Sequence, residues 1–350
     1  MSQSNYRFLF YVTLSYSYPI LRPIEAELKK RGCEVVWFVR QGSEAEQFTH
    51  SLEHSINTIE AAKDFDADAL IAPGNNIPSF FPGIKVQVFH GFNSGKKNTL
   101  KVRGYFDLYC SECSSSTAEL NAQRQKNVTF DVVETGWPKL DPLFTLHPHT
   151  ERYKDSDRKI ILYAPTFSPS LTSTYALHEE IKSLSQNENW LWLVKFHPKV
   201  SKEEFQLYQS LESDTLKIVE TSEIIPLLQA ADVLLSDTSS IISEFAFQTK
   251  PAVSFRNRAP DQWLINFEES SDLKKSIERA LGASPEHLEL MQQHFKQIHP
   301  FQDGQSSKRV ADAAIEMINS GISHLEKKPK NYFRDFKVYR ELKKAQRKIN

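Results

Sequence analysis

Residues 231–255 read ADVLLSDTSSIISEFAFQTKPAVSF. Val233, Leu234 and Leu235 form a short apolar β-type run that stops at Ser236-Asp237, where the hydroxyl cluster Thr238, Ser239, Ser240 begins. Ile241, Ile242, Phe245 and Ala246 then recur at helical spacing, and Ala252 to Phe255 is again β-type. The order is strand, polar turn, helix start, helix, next strand. The first N–H groups of a helix lack intrahelical partners and carry the positive end of the macrodipole, so a diphosphate suits this turn. The same hydroxyls equally suit plain helix capping.

Outward from this stretch the pattern repeats. Lys159 to Ala164, Leu191 to Phe196, Leu216 to Val219, Val233 to Leu235 and Ala252 to Phe255 read as strands. Helical segments near Tyr175 to Ser185, Lys202 to Glu212, Ile224 to Ala230, Ser239 to Phe247 and Leu273 to Leu281 separate them. The first part alternates in the same way, with strands at Arg7 to Leu14, Glu34 to Val39, Ala69 to Ala72, Val86 to Phe89, Phe106 to Cys110 and Phe130 to Glu134. Its helices are expected near Ile20 to Arg31, Ser43 to Leu52 and Ser114 to Gln125. Such alternation predicts an α/β protein with two Rossmann-like, doubly wound halves and a cleft between them. The expected organisation is a first domain over 1–142, a polar linker over 143–158, a second domain over 159–300, a helix within 301–323 and a basic tail over 324–350.

The bulk properties narrow the function classes. A chain of 350 residues with 40% hydrophobic content, 25% charge and a formal net charge of −1 is globular and lacks a global nucleic-acid signature. No apolar run long enough to span a membrane is seen, and the start MSQSNYRFLFYVTL lacks the marks of a signal peptide, so a cytoplasmic location is expected. Three cysteines, Cys33, Cys110 and Cys113, are too few for a disulfide framework. Cys110 and Cys113 form a CxxC, but no second pair completes a metal site, and burial at a strand end explains them better. No metal or cofactor is expected.

Polar residues that directly follow strands carry the candidate chemistry. His90-Gly91 ends VQVFH, and a strand-end histidine suits a general base. Lys96 lies close by. Gly136, Pro138 and Asp141 in ETGWPKLDP read as a structural turn. Thr166 follows the strand in KIILYAPT, and His197 ends WLWLVKFHP, where Pro198 stops the strand.

In order, His90-Gly91, APT, KFHP, SDTSS and a KP dipeptide resemble the CDP-glycerol glycerophosphotransferase family, the teichoic-acid primases and polymerases of GT-B architecture, from about Val86 to Arg258. Where the family usually has DYSS, this chain has Thr238 in place of the tyrosine. The resemblance implies that His90 deprotonates an acceptor hydroxyl and that His197, Thr238, Ser239, Ser240 and Thr166 hold the donor diphosphate. It further implies that Asp237 orders the loop and Glu244 meets the nucleotide ribose, with Lys96, Arg256 and Arg258 as candidate phosphate contacts. The implied reaction is attack by an alcohol on the distal phosphorus of a CDP-linked donor, releasing CMP, with a membrane-linked or oligosaccharide acceptor.

Two other readings remain at this level. Ser236, Glu244, Lys250-Pro251, Arg256 and Arg258 are also similar to the donor segment of UDP-N-acetylglucosamine 2-epimerase, which keeps open an epimerase-like enzyme or a GT-B glycosyltransferase using a nucleotide sugar, although the epimerase's paired glycines are replaced here by Thr238-Ser239-Ser240. A non-catalytic binding protein that keeps the cleft is the third reading. The tail from His324 carries ten Lys/Arg against three Asp/Glu, with Tyr332, Phe333, Phe336, Val338, Tyr339 and Leu342 interleaved. That mixture suits an anionic membrane surface, or a helix packed back on the domain. Nucleic acid is the weakest partner, because the remainder of the chain is net acidic.

Overall fold

A computed structural model gives the fold and describes every residue except 1–4, 50–52, 92–99, 101, 146–148, 156, 198, 222–223, 330 and 347–350. The chain forms two compact units, one of residues 1–141 with 297–350 and one of residues 142–296.

In the first unit, β1 (Arg7–Val12), β2 (Glu34–Val39), β3 (Ser55–Ile56), β4 (Ala69–Ala72), β5 (Ile84–Val88), β6 (Leu108–Ser111) and β7 (Asp131–Glu134) make one sheet. Its order is β3-β2-β1-β4-β5-β6-β7, and every pairing is parallel. Strand order reverses between β1 and β4, so a ligand crevice belongs at the carboxyl ends of those strands. The central strands are apolar on both faces, as a parallel sheet covered by helices requires.

The crossover from β4 to β5 contains no helix, which would leave one face of the sheet bare. The basic tail fills that place. Its helix Tyr332–Gln346 buries Val338 and Leu342 among Tyr11, Leu70, Ala72 and Phe81. Lys328 pairs with Asp107, His324 with Asp131 at 2.6 Å and Lys343 with Glu60 at 2.5 Å, which fastens the segment along its length. Helix Ser306–Ser320 packs against helix Tyr18–Lys30 and the β5–β6 strands. Asp141 accepts the N–H groups of Ser306 and Ser307 at 2.9 and 2.6 Å, so it caps that helix from 165 positions away. Gly136, with φ +80°, lets Trp137 donate its N–H to His299 Nε2 at 2.8 Å.

In the second unit, β8 (Lys159–Tyr163), β9 (Trp190–Val194), β10 (Leu216–Ile218), β11 (Val233–Ser236), β12 (Ala252–Phe255) and β13 (Ile265–Phe267) form a sheet of order β10-β9-β8-β11-β12-β13, again wholly parallel. This is the doubly wound arrangement, with the reversal between β8 and β11.

The differences from the sequence reading have physical causes. The described residues of 43–52 hold no α-helix, only a short 3-10 turn, Glu44–Phe48, because Ala45 alone is buried there; residues 50–52 lie outside the described residues. The stretch 143–158 belongs to the second unit and is no free linker. There the buried Thr150 donates to Gln229 Oε1 at 2.7 Å, while Gln229 Nε2 donates to the carbonyls of Pro142, Leu143 and Thr145. The second unit ends at Lys296, and the helix and tail that follow complete the first unit. The short elements Ser55–Ile56, Ile59–Asp64 and Ile265–Phe267 carry too few residues for a periodicity to show.

Candidate active site

The site residues of the first unit gather at the carboxyl ends of β1, β4 and β5. His90 follows β5 and is exposed. Its Nδ1 lies 3.2 Å from the carbonyl of Pro73, just beyond β4. A carbonyl only accepts, so in the neutral ring Nδ1 carries the hydrogen and Nε2 the lone pair. The ring of Tyr16, from the loop after β1, stacks on the imidazole at 5.1 Å with a 28° tilt. Burial pushes the Tyr16 hydroxyl up from its ordinary range, so it stays protonated at neutral pH. Trp137 Nε1 donates to the Phe89 carbonyl at 2.8 Å, and Gln87 Nε2 donates to Asn75 Oδ1 at 2.5 Å. The first bond holds the residue before His90, and the second ties β5 to the connection that follows β4. Lys96 falls outside the described residues.

In the second unit the opening stretch delivers Asp237 at the end of β11, fully buried. Its carboxylate accepts the N–H of Thr166 at 3.1 Å and both the N–H and hydroxyl of Ser173 at 3.1 Å. Burial raises its pKa, opposed by these bonds and by the N–H of Thr238. Asp237 therefore ties the loop after β8 to the hydroxyl turn after β11. Asn257 donates to the Asp237 carbonyl at 2.9 Å, and Asn266 Oδ1 accepts from Asn257 N–H and Ser254 at 3.0 Å.

The hydroxyls beside Asp237 are scarcely used by the fold. Ser240 occupies the N-cap position of helix Ile241–Ala246 without a side-chain cap bond. Ser239 Oγ receives only a 3.5 Å contact from the Ile241 N–H. Thr238 Oγ1 accepts the Arg258 N–H at 3.3 Å, which draws the loop after β12 to the same turn. Glu244 is buried one turn into the helix. Arg256 has φ +49° and commits Nε to the Glu268 carbonyl at 2.8 Å; both Arg256 and Arg258 are exposed. Lys250 of the KP dipeptide serves the fold. Its ammonium donates to the carbonyls of Gln229 and Ala231 at 2.6 and 2.9 Å, closing helix Ile225–Ala230.

His197 has the opposite tautomer to His90. The Lys199 N–H donates to His197 Nδ1 at 3.1 Å, so the neutral ring carries its hydrogen on Nε2 and presents a donor. Phe167 stacks on it at 4.3 Å. Burial first, then Lys199 and Lys195, hold its pKa below the usual histidine range. The unliganded side chain is thus a neutral donor at neutral pH. Thr166 and His197 both stand at carboxyl strand ends of this sheet, as do Thr238, Ser239 and Ser240.

The Pro73 carbonyl, Tyr16, Asn257 and Asn266 escaped the sequence reading. A backbone carbonyl leaves no trace in side-chain spacing, whereas Asn257, directly after a strand in SFRNRAP, carries the signal that marked His90. Cys110 and Cys113 are buried at the β6 end, and burial pushes the Cys110 thiol up to about 12, which makes it an inert packing group.

The family model for CDP-glycerol:poly(glycerophosphate) glycerophosphotransferase matches residues 83–316. The chain belongs to this family. It is 32% identical over 132 residues to the teichoic acid glycerol-phosphate primase of Bacillus subtilis (strain 168), covering 35% of this chain and 33% of that protein. It is 25% identical over 272 residues to the teichoic acid ribitol-phosphate polymerase TarL of Staphylococcus aureus (strain NCTC 8325 / PS 47), covering 64% of this chain and 46% of the relative. The chain thus spans about half the length, or less, of the curated relatives it matches. Among solved structures, the wall teichoic acid polymerase TagF superposes with a TM-score of 0.64 at 14% identity over 92% of both chains. UDP-GlcNAc 2-epimerase from Neisseria meningitidis gives 0.61 at 14% identity, over 89% of this chain and all of that one. Both likenesses establish the GT-B-like α/β fold that the glycerophosphotransferase family shares with the epimerase.

Proposed function

We propose that the chain transfers glycerol phosphate, or a similar alditol phosphate, from a CDP-linked donor to an acceptor hydroxyl with release of CMP, in the synthesis of a cell-surface polymer. Family membership supports the reaction class. The observation that carries the mechanism is the His90–Pro73 bond, which keeps Nε2 open for a proton.

In this reading the acceptor oxygen attacks the donor's distal phosphorus as its proton passes to His90 Nε2. The new O–P bond forms, the pyrophosphate O–P bond breaks, and CMP leaves with the electron pair. The imidazolium that results is stabilised by the Pro73 carbonyl and by the face of Tyr16. His197 donates its Nε2–H to the diphosphate, with Thr166, Thr238, Ser239 and Ser240 supplying hydroxyls and N–H groups and Glu244 holding the ribose. Arg256, with one donor already committed, is the weaker phosphate contact beside Arg258. Positioning and charge stabilisation do most of the work in such phosphoryl transfer.

The acceptor is membrane-linked or an oligosaccharide, and the protein works at the cytoplasmic face. No helix among the described residues is long and apolar enough to cross a membrane. Phe333 and Phe336, 82% and 58% exposed on the tail helix, with the Arg340 guanidinium over the Phe336 ring, suit contact with anionic lipid.

The deciding assay incubates the protein with CDP-glycerol and a glycerophosphate-bearing acceptor and measures CMP. Release of CMP is expected. UDP release or epimerised sugar from UDP-N-acetylglucosamine, without CMP, would replace this reading by the epimerase-like one.

A further inference from the structure

We infer that the tail helix and the strand-end loops of the first unit form an anion site that receives a phosphate group of the acceptor. The inference rests on the reading of His90 as the acceptor-side base. A cleft of about 480 Å³ lies between helix Tyr332–Gln346 and the loops carrying Asn76 and Arg103. Arg103, Arg334 and Lys337 line it, and Glu341 is its one carboxylate among the described residues. A recess of about 80 Å³ shares Asn76, Val338 and Glu341 with it and adds Arg40, the residue directly after β2. Four cations therefore surround two adjoining hollows against one acidic group.

These cations are held for a ligand more than for the fold. Among the described residues, Arg40, Arg103 and Lys337 enter no ion pair. The Arg334 guanidinium lies 3.4 Å over the Tyr105 ring and gives one donor to the Arg103 carbonyl at 2.5 Å, while its Nε is buried without a partner. A guanidinium packed on a ring with donors to spare is a ready phosphate contact. The Tyr105 hydroxyl donates to Asn76 Oδ1 at 2.7 Å, which fixes the cleft wall.

The place of the cleft names its occupant. Asn76 lies early in the connection 73–83 between β4 and β5, whose first carbonyl holds His90 and whose Asn75 is bound by Gln87 of β5. An anion here sits on the loop that orients the base. A polyol-phosphate acceptor carries a phosphodiester close to its attacking hydroxyl, so seating the phosphate would deliver the hydroxyl toward Nε2.

The test uses Arg103→Ala/Lys337→Ala, both exposed positions, and Glu341→Gln in the full chain. Glycerol 3-phosphate is titrated calorimetrically at low salt, and the acceptor KM and the affinity for CDP-glycerol are measured in parallel. The double variant is expected to bind glycerol 3-phosphate about tenfold more weakly and to raise the acceptor KM, with donor affinity unchanged, while Glu341→Gln binds about threefold more tightly. A double variant with wild-type glycerol 3-phosphate affinity overturns the site. Loss of binding to phosphatidylglycerol vesicles without any change toward glycerol 3-phosphate gives these cations to the lipid surface and overturns the acceptor reading. The titration reads the cleft even if no CDP-linked donor proves to be a substrate, so failure of the proposed activity and failure of this site are told apart.

Discussion

The Nδ1–H of His90 donates to the carbonyl of Pro73, and this one bond sets which ring nitrogen can take a proton. Replacing His90 by Asn keeps a donor toward Pro73 and removes the base. The expected result is a fall in kcat of about 10²–10⁴-fold, the usual contribution of general base catalysis, with CDP-glycerol affinity retained. Steady-state kinetics beside a donor titration check this, and full activity would remove His90 from the mechanism.

His197 is neutral when free because burial, Lys199 and Lys195 depress its pKa. A bound diphosphate would raise that pKa, so donor binding takes up a proton and tightens as pH falls below the ordinary histidine value of about 6.5. Calorimetry in buffers of different ionisation heat reads the proton directly, and His197→Gln is expected to abolish the uptake.

Ser240 sits at a helix N-cap with no cap bond. Where a serine caps a helix, replacement by Ala costs about 1 kcal/mol. Ser240→Ala is therefore expected to leave the unfolding midpoint unchanged while weakening donor binding. A clear loss of stability with unchanged donor affinity would return Ser240 to a purely structural role.

His299 is fully buried, and burial lowers its pKa to about 4. The unfolded chain binds this proton near pH 6.5 and the folded one does not, so stability falls as pH drops from about 6.5 to 4, by roughly 3 kcal/mol at the acid end. Urea unfolding across this window measures the loss. His299→Gln, which still offers an acceptor to the Trp137 N–H, is expected to flatten the slope.

Gly136 has φ +80°, and a Cβ there would lie 2.6 Å from Ser306 Oγ and 3.0 Å from His299 Nε2. Gly136→Ala is expected to cost about 2–4 kcal/mol through strain and overlap together. Thermal unfolding of the variant gives the figure.

The sequence carries the two sheets plainly, because buried parallel strands are continuous apolar runs such as Val233 to Leu235 and because polar residues follow their carboxyl ends. The strand-end rule also led to His90, Thr166, His197 and Asp237. It could not reach groups whose role depends on distant partners. Asp141 reads as an ordinary turn residue until Ser306 and Ser307 arrive beneath it, and the Pro73 carbonyl has no side-chain signature. The tail hid its packing for another reason. Among its described residues only Val338 and Leu342 turn inward, one helical turn apart, among basic and aromatic residues that resemble a free surface helix.

The first unit draws its last helices from residues 297–350, whereas the second is built from one unbroken stretch. During synthesis from the N-terminus, the early sheet therefore leaves the ribosome with one face uncovered and must wait while the whole second unit is made. Its order of maturation is inverted relative to its order of translation. Chains truncated before residue 306 and freed of the ribosome should hold a protease-sensitive first unit beside a resistant second one, and chaperones would find their binding surface on the part of the protein that was made first.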